Sequence, residues 1–227
     1  MSAAPLFPMF LRLEGHPCLV VGAGSIGEQK IRSLIDCGAQ VHVVAPSASD
    51  AVTEAASQSK LAWSQRNFVL SDLDGVFLVV AATSSVGVNQ AIYHEAQRRG
   101  ILCNVVDDPP HCDFFYPAVV RRGHFQIAIS TGGLSPALAQ RVRKQLEKEF
   151  PLLYGLWLEE LGKKRAELYQ GGCQPELRHS LIHQSVTPQA FLQFEHDRRL
   201  NGGTGVSAVL PGGDARRSIN STGKDLL

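Results

Sequence analysis

Charge of one sign is scarcely in excess in this chain of 227 residues: 22 lysines and arginines face 21 aspartates and glutamates. No global field draws it to nucleic acid or to an anionic membrane surface, and neither is expected as a partner. Long apolar runs are missing too. The longest uncharged one, Val76 to Ala82, falls far short of the roughly 20 residues that cross a bilayer. At Met1 to Met9 no positive flank leads into a long apolar stretch, so the expected location is cytoplasmic. Cysteine is sparse and odd in number: Cys18, Cys37, Cys103, Cys112 and Cys173 form no CxxC pair. That usage fits reduced, mostly packed thiols rather than a disulfide framework or a structural zinc site, and no resident metal is expected. What is present is ordinary for a folded domain. Hydrophobic residues make up 44% and charged residues 19%, with a mean hydropathy of −0.03, which excludes wholesale disorder.

Along the chain, Phe10 to Leu13 reads as a short strand, and Glu14-Gly15 turns into the apolar run Cys18-Leu19-Val20-Val21, which suits a strand buried on both faces. Ile31, Leu34 and Ile35 then recur at helical spacing until Gly38. Further strands are expected at Val41 to Ala45, Leu61 to Ser64, Val76 to Ala82 and Leu102 to Val106, with helices at Ala51 to Ser57 and around Val88 to Ala96. Alternation of buried strands with helices predicts a parallel, doubly wound α/β sheet. After Asp107 the pattern changes. Tyr116 to Val120 and Phe125 to Ser130 read as an antiparallel hairpin, and Ser135-Pro136 opens a helix striped by Leu138, Val142, Leu146 and Phe150. A second helix over Leu152 to Leu168 and weaker helical stretches to about Leu200 follow. Expected boundaries are 1–110 for the sheet domain, 111–150 for the hairpin and helix, 151–200 for a helical region and 201–227 for a flexible tail with six glycines and no aromatic residue.

Gly22-Ala23-Gly24-Ser25-Ile26-Gly27 follows the first buried strand and opens the first helix. In a Rossmann-like fold this spacing serves three ends: Gly22 for a tight turn, Gly24 for approach of a pyrophosphate, and Gly27 for packing of helix on strand. The helix N-terminus then offers amides and a partial positive charge to the phosphates, with Ser25 and Ile26 in its first turn. A carboxylate for the adenine ribose is expected at the end of the second strand, yet the sequence there is Val43-Val44-Ala45-Pro46-Ser47. Ribose contact would fall to backbone and Ser47, and with no arginine there either, NAD is favoured over NADP. Ala82 and Thr83 end the fourth strand at the carboxyl edge, small enough to admit a nicotinamide. Asp107 ends the fifth, where a carboxylate beside the nicotinamide pocket can take a proton as a hydride leaves the same substrate. The bland alternative, that Asp-Asp-Pro-Pro is simply a turn, is compatible with composition alone.

Several segments recur together in one order: Phe10-Leu11-Arg12-Leu13-Glu14-Gly15, Cys18 to Gly24, Ala81-Ala82-Thr83, Asn104-Val105-Val106-Asp107, Cys112-Asp113-Phe114-Phe115-Tyr116-Pro117 and Ser130-Thr131-Gly132-Gly133-Leu134-Ser135-Pro136. Over roughly residues 5–165 this set resembles the precorrin-2 dehydrogenase family, which occurs alone or as the N-terminal module of multifunctional siroheme synthases. The resemblance implies NAD-dependent oxidation of precorrin-2 to sirohydrochlorin, in some members with insertion of ferrous iron to give siroheme, and a homodimer built through the region after the sheet. It places the essential aspartate on Asp107, dinucleotide contacts on the glycine loop, Pro46 and Ser47, and Ser130 near the tetrapyrrole. One departure is Gly27-Glu28-Gln29-Lys30 where relatives often have Ala-x-Arg-Lys.

An anionic tetrapyrrole needs cations, and Arg121, Arg122, His124, Arg141, Arg143 and Lys144 gather in the second region. Of these Arg121 and Arg141 are taken as substrate ligands with Ser130, while Gly132-Gly133 ahead of the Ser135 cap can add an anion-binding nest. A nucleotide-sensing regulatory module without catalysis is the competing reading; such a module has no need of Asp107 or of the Cys112 to Pro117 segment.

Overall fold

The computed structural model describes residues 5–201. The expected flexible tail, beyond Asn201 itself, lies outside the described residues. Five parallel strands, β1 (Pro17–Ala23), β2 (Gln40–Ala48), β3 (Ala62–Ser64), β4 (Leu78–Ala81) and β5 (Leu102–Val105), form one sheet in the order β3-β2-β1-β4-β5. Helices α1 (Ser25–Asp36), α2 (Asp50–Ser57) and α3 (Val86–Arg99) connect them. Side chains alternate across a strand, so the two faces of β1 bury different sets. Cys18 and Val20 pack with Ile31, Leu34 and Val52, whereas Leu19 and Val21 pack with Leu73, Ile92 and Ala96. That double burial is why these strands read as unbroken apolar runs. Each fully buried valine or leucine contributes about 1.5–3 kcal/mol, so the sheet core carries most of this unit's stability.

Between β1 and β4 the connection order reverses, which makes the carboxyl ends of these strands the switch point where ligands of open α/β sheets bind. The pairing of β1 with β2 is regular from Pro17↔Gln40 to Val21↔Val44 and then slips to Ala23↔Ala48. The extra residues of β2 are extruded there, and Pro46 and Ser47 stand exposed at the sheet edge.

Phe10 to Leu13 is not a strand. Both hydrogen-bonding edges of β1, the strand that follows it, are taken by β2 and β4, so the segment cannot pair there and Leu13 anchors it by side-chain burial instead. Leu13 is buried in the core while Phe10 stays 69% exposed.

Beyond β5 lie β6 (Ala118–Arg122) and β7 (Phe125–Ile129), an antiparallel pair separate from the main sheet. They lead into α4 (Pro136–Glu149), whose first turn is capped by the Ser135 hydroxyl, acceptor for the Leu138 amide at 3.3 Å. The Arg122 guanidinium donates to the carbonyls of Phe150 at 2.7 Å and Glu147 at 3.0 Å, closing the end of α4 onto the hairpin. Leu138 of the apolar stripe remains 51% exposed, and Ala139 is the residue α4 buries.

The first compact unit runs to Glu160, inside α5 (Leu153–Gln170), and the second starts at Leu161. The second contains the rest of α5 with α6 (Pro175–Gln184) and α7 (Pro188–Asn201). Within it the Tyr169 ring carries the Arg178 guanidinium 4.1 Å from its centroid. Among the described residues no helix is long and apolar enough to cross a membrane.

Candidate functional site

The glycine loop is built so that side chains would break it at two positions and not at the third. Gly22 has φ +98°, and a Cβ there would fall on the Ala82 carbonyl. A Cβ on Gly27 would fall on the Gly22 carbonyl, so this glycine packs the helix against the loop itself as much as against the strand. Around Gly24 nothing lies within 4 Å of such an atom, which leaves the approach to the loop open. Helices α2, α3 and α4 are capped by Ser49, Ser85 and Ser135, but α1 begins at Gly24 without a side-chain cap. Its first amides, with Ser25 and Ile26 exposed beside them, remain available to an anion and carry the helix dipole's positive end. These residues fit the pyrophosphate of a dinucleotide.

On either side of the loop, side chains have partners that the sequence did not announce. On one side Ser49, just after β2, donates from its hydroxyl to Glu28 Oε2 at 2.7 Å while also capping α2. The carboxylate missing from the end of β2 is thereby brought next to it from α1. On the other side the Thr83 hydroxyl donates to Asn89 Oδ1 at 2.7 Å, and Asn89 Nδ2 donates back to the Thr83 carbonyl at 3.0 Å. Asn89 is buried. It fixes the loop after β4 in which Ala82 and Thr83 stand, and only its helical placement hinted at it.

Asp107 occupies the turn after β5 with φ +60°. The turn is closed by the Asp108 amide donating to the Val105 carbonyl at 3.3 Å. A left-handed backbone is uncommon at residues other than glycine and is borne best by asparagine and aspartate, and such positions collect at functional sites. What holds it is the segment that follows. Buried Asn104 donates to the Phe114 carbonyl at 2.8 Å, and the Asp113 carboxylate accepts the Cys103 amide at 2.9 Å. The Cys112 thiol donates to the Val105 and Asp108 carbonyls. Asn104, Cys112 and Asp113 therefore lace residues 112–114 along β5 as a supporting strand, and their role is architectural. Asp108 is engaged with His111 Nδ1 at 2.7 Å, with the Tyr93 ring 4.6 Å from the His111 ring. That leaves Asp107, exposed, as the carboxylate presented at this edge.

A further residue was not anticipated. Lys30, one turn along α1 from the glycine loop, places Nζ 3.7 Å from the centroid of the Tyr116 ring. Burial pulls its ammonium below the ordinary lysine value, and the nearby Asp107 carboxylate partly offsets this.

The expected substrate residues lie in the hairpin region. Ser130 is exposed and accepts the Gly132 amide at 3.1 Å, and Gly132 and Gly133 have φ +60° and +81°. Arg121 is exposed on β6. Arg141, with Lys144 and Lys148, lines an open depression of about 590 Å³ along α4. Two of the clustered basic residues are committed elsewhere: Arg122 to the end of α4, and Arg143 to Glu147 and Gln140.

A switch-point glycine loop with an uncapped helix, at the same carboxyl edge of the sheet as a supported carboxylate turn, defines an α/β dinucleotide-binding module. The comparisons agree. Residues 9–118 match the family described as putative NAD(P)-binding, and residues 122–149 match the central region of sirohaem biosynthesis proteins. Siroheme synthase 1 of Serratia proteamaculans is 36% identical over 163 residues, 72% of this chain and 34% of that protein. Siroheme synthase 3 of Aeromonas hydrophila is 41% identical over 144 residues, 63% of this chain and 31% of that protein. The chain thus spans about a third of the length of the curated relatives it matches. A solved structure of SirC, a precorrin-2 dehydrogenase, superposes with a TM-score of 0.73 at 26% identity, over 87% of this chain and all of that one. Over residues 9–149 the chain thus carries, in this order, matches to an NAD(P)-binding module and to the central region of sirohaem biosynthesis proteins, and it resembles the precorrin-2 dehydrogenase family.

Proposed function

We propose that this chain carries out the NAD-dependent dehydrogenation of precorrin-2 to sirohydrochlorin in siroheme biosynthesis. The observation that carries the reading is the left-handed, laced turn that presents Asp107 at the same sheet edge as the uncapped glycine loop. The loop residues Gly22, Gly24, Ser25, Ile26 and Gly27 hold the pyrophosphate; Pro46 and Ser47 flank the adenosine side, and Ala82 and Thr83 the nicotinamide side. Glu28, held beside the end of β2 by Ser49, sets a negative charge against a 2′-phosphate and so supports NAD over NADP. Bound there, NAD supplies a hydride acceptor. Asp107 takes the proton that leaves with the hydride, and from its exposed turn it passes that proton to solvent. The sum is precorrin-2 and NAD⁺ giving sirohydrochlorin, NADH and a proton. Ser130, Gly132, Gly133, Arg121 and Arg141 receive the substrate's carboxylates, and the protein works as a homodimer in the cytoplasm.

Ferrous iron as a further substrate rests on Asp107 alone, as base for the pyrrole protons that leave on metal insertion. The deciding measurement supplies sirohydrochlorin and ferrous iron without NAD and compares siroheme formation with the protein-free rate; equal rates confine the chain to dehydrogenation. The main reading is tested by anaerobic incubation with precorrin-2 and NAD. Stoichiometric NADH and the sirohydrochlorin spectrum are expected. Folded protein that binds NAD but yields no NADH would put the sensor reading first.

A further inference from the structure

We propose that Lys30 is a substrate-binding residue: its ammonium, seated on the face of the Tyr116 ring beside Asp107, takes a carboxylate of the anionic substrate and sets the reacting part of that molecule against the Asp107 turn. The inference rests on the dehydrogenase reading above and adds to it the group that settles where the substrate lies.

Lysine normally lays its stem along apolar surface and keeps its ammonium in water. Here the ammonium is drawn back onto an aromatic ring, with Nζ 3.7 Å from the Tyr116 centroid, in a half-buried position. A ring face satisfies one side of the cation for about 0.5–2 kcal/mol and offers no acceptor oxygen to its three N–H groups. Among the described residues no hydrogen bond or ion pair engages those groups. The Asp107 carboxylate acts on the ammonium through space without closing on it. A cation left in that condition is stabilised by an incoming anion that completes its hydrogen bonds.

The platform under it does not give way. The Tyr116 side chain is packed into the core formed by Cys18, Ile31 and Leu34, its ring meets Phe114 at 5.6 Å, and its hydroxyl is buried with no hydrogen-bond partner among the described residues. Tyr116 comes from the segment laced to β5 and Lys30 from the helix that follows the glycine loop. The ammonium therefore bridges the cofactor half and the Asp107 half of the edge.

Electrostatics give the arrangement a purpose. The base is a carboxylate and the substrate is fringed with carboxylates, so approach of one to the other is repulsive unless a cation stands between them. A phosphate of the cofactor is the other anion that Lys30 could meet. The free amides that hold phosphate lie in the first turn of α1, at Ser25 to Gly27, and Lys30 lies a turn further on.

The test uses the full chain with Lys30→Met, which keeps the stem over Tyr116 and removes the charge, and with Lys30→Arg, which keeps the charge. Three quantities are read: the affinity for NAD by calorimetry, the affinity for sirohydrochlorin by absorbance titration without NAD, and anaerobic rates of NADH formation from precorrin-2. In Lys30→Met the KM for precorrin-2 and the Kd for sirohydrochlorin should rise about tenfold or more, as for one lost charge-assisted hydrogen bond, with a much smaller change in kcat. Affinity for NAD should stay within about twofold, and Lys30→Arg should recover most of the substrate affinity. Unchanged KM and Kd in Lys30→Met would reduce Lys30 to a packing contact, and weakening of NAD alone would assign it to the phosphate; either overturns the proposal, as does wild-type protein that fails to bind sirohydrochlorin. Wild-type protein that binds sirohydrochlorin yet makes no NADH sinks the dehydrogenase reading instead, and the titration then decides on Lys30 by itself.

Discussion

At position 107 the side chain's chemistry and the backbone's conformation make separate demands, and substitutions can part them. Asparagine tolerates a left-handed backbone nearly as well as aspartate and has almost its volume, whereas alanine does not share that tolerance. Asp107→Asn should leave thermal stability unchanged, while Asp107→Ala should lose about 1 kcal/mol to the turn at φ +60°. Both should lower the NADH rate by a factor of about 100 or more, the usual worth of a positioned base. Thermal melts beside anaerobic rates separate the two effects; an Asn variant with full activity would remove Asp107 from the mechanism. The buried thiols give a second residue-scale expectation. Burial pushes Cys18 up to about 11 and Cys103 up to about 12. Because the folded values are raised, the stability these groups hold is complete below the unfolded thiol value near 9 and is lost as pH climbs through 11 and 12, at up to about 1.4 kcal/mol per pH unit for each thiol. Urea midpoints should be level from pH 7 to pH 8 and fall steadily above about pH 9. Alkylation of the native protein at pH 8 should reach exposed Cys37 and spare Cys18 and Cys103; a level midpoint up to pH 11 would contradict the assignment.

Among elements, the glycine loop shows how much the sequence can tell and where it stops. The strand-loop-helix pattern located the loop and gave each glycine a role. It could not say that Gly22 and Gly27 are locked against backbone atoms of Ala82 and of the loop itself, since those contacts are made by residues distant in sequence or by the turn's own closure. The structure therefore divides the substitutions. Gly22→Ala and Gly27→Ala put a methyl on a carbonyl and should destabilise by about 2 kcal/mol or more, in the range of strain at special backbone positions. Gly24→Asp meets open space and should melt like the wild type, yet should abolish NAD binding because a carboxylate then stands where the pyrophosphate approaches. Calorimetry with NAD and a thermal melt on each variant settle it, and retained NAD affinity in Gly24→Asp would place the cofactor elsewhere. The buried strands were legible because burial on both faces leaves an unbroken apolar run; Phe10 to Leu13 misled because its apolar residues resemble a strand while both edges of the neighbouring β1 are taken by β2 and β4. That Asp107 stands in the turn after β5 was legible from its neighbours in the chain. Glu28, Asn89 and Lys30 were not, because each takes its meaning from a partner across the fold: Ser49, Thr83 and Tyr116.

For the molecule as a whole, the question is what covers the hairpin region. A two-stranded ribbon is marginal alone, and here α4 covers it from one side: Ala118 and Val120 of β6 are buried, but Phe125, Ile127 and Ile129 of β7 are only half covered. In the segment that follows, Leu134 is 93% exposed and Leu138, in α4, is 51% exposed. Single exposed leucines are ordinary, but two of them in the segment that follows a half-covered ribbon mark a surface that another copy can close, and a two-fold contact is the simplest way to do so. Light scattering should give a mass near twice 24.6 kDa. The double variant Leu134→Glu and Leu138→Glu should fall to the monomer mass at micromolar concentration. Its NAD affinity should not change, since the glycine loop, Pro46, Ser47 and Thr83 all belong to the sheet domain. Its turnover should fall if the second copy helps to enclose a substrate bound over Ser130 and the Gly132-Gly133 turn. A wild-type chain that stays monomeric, or a double variant that stays dimeric, would move the interface off this surface and leave those leucines without a role.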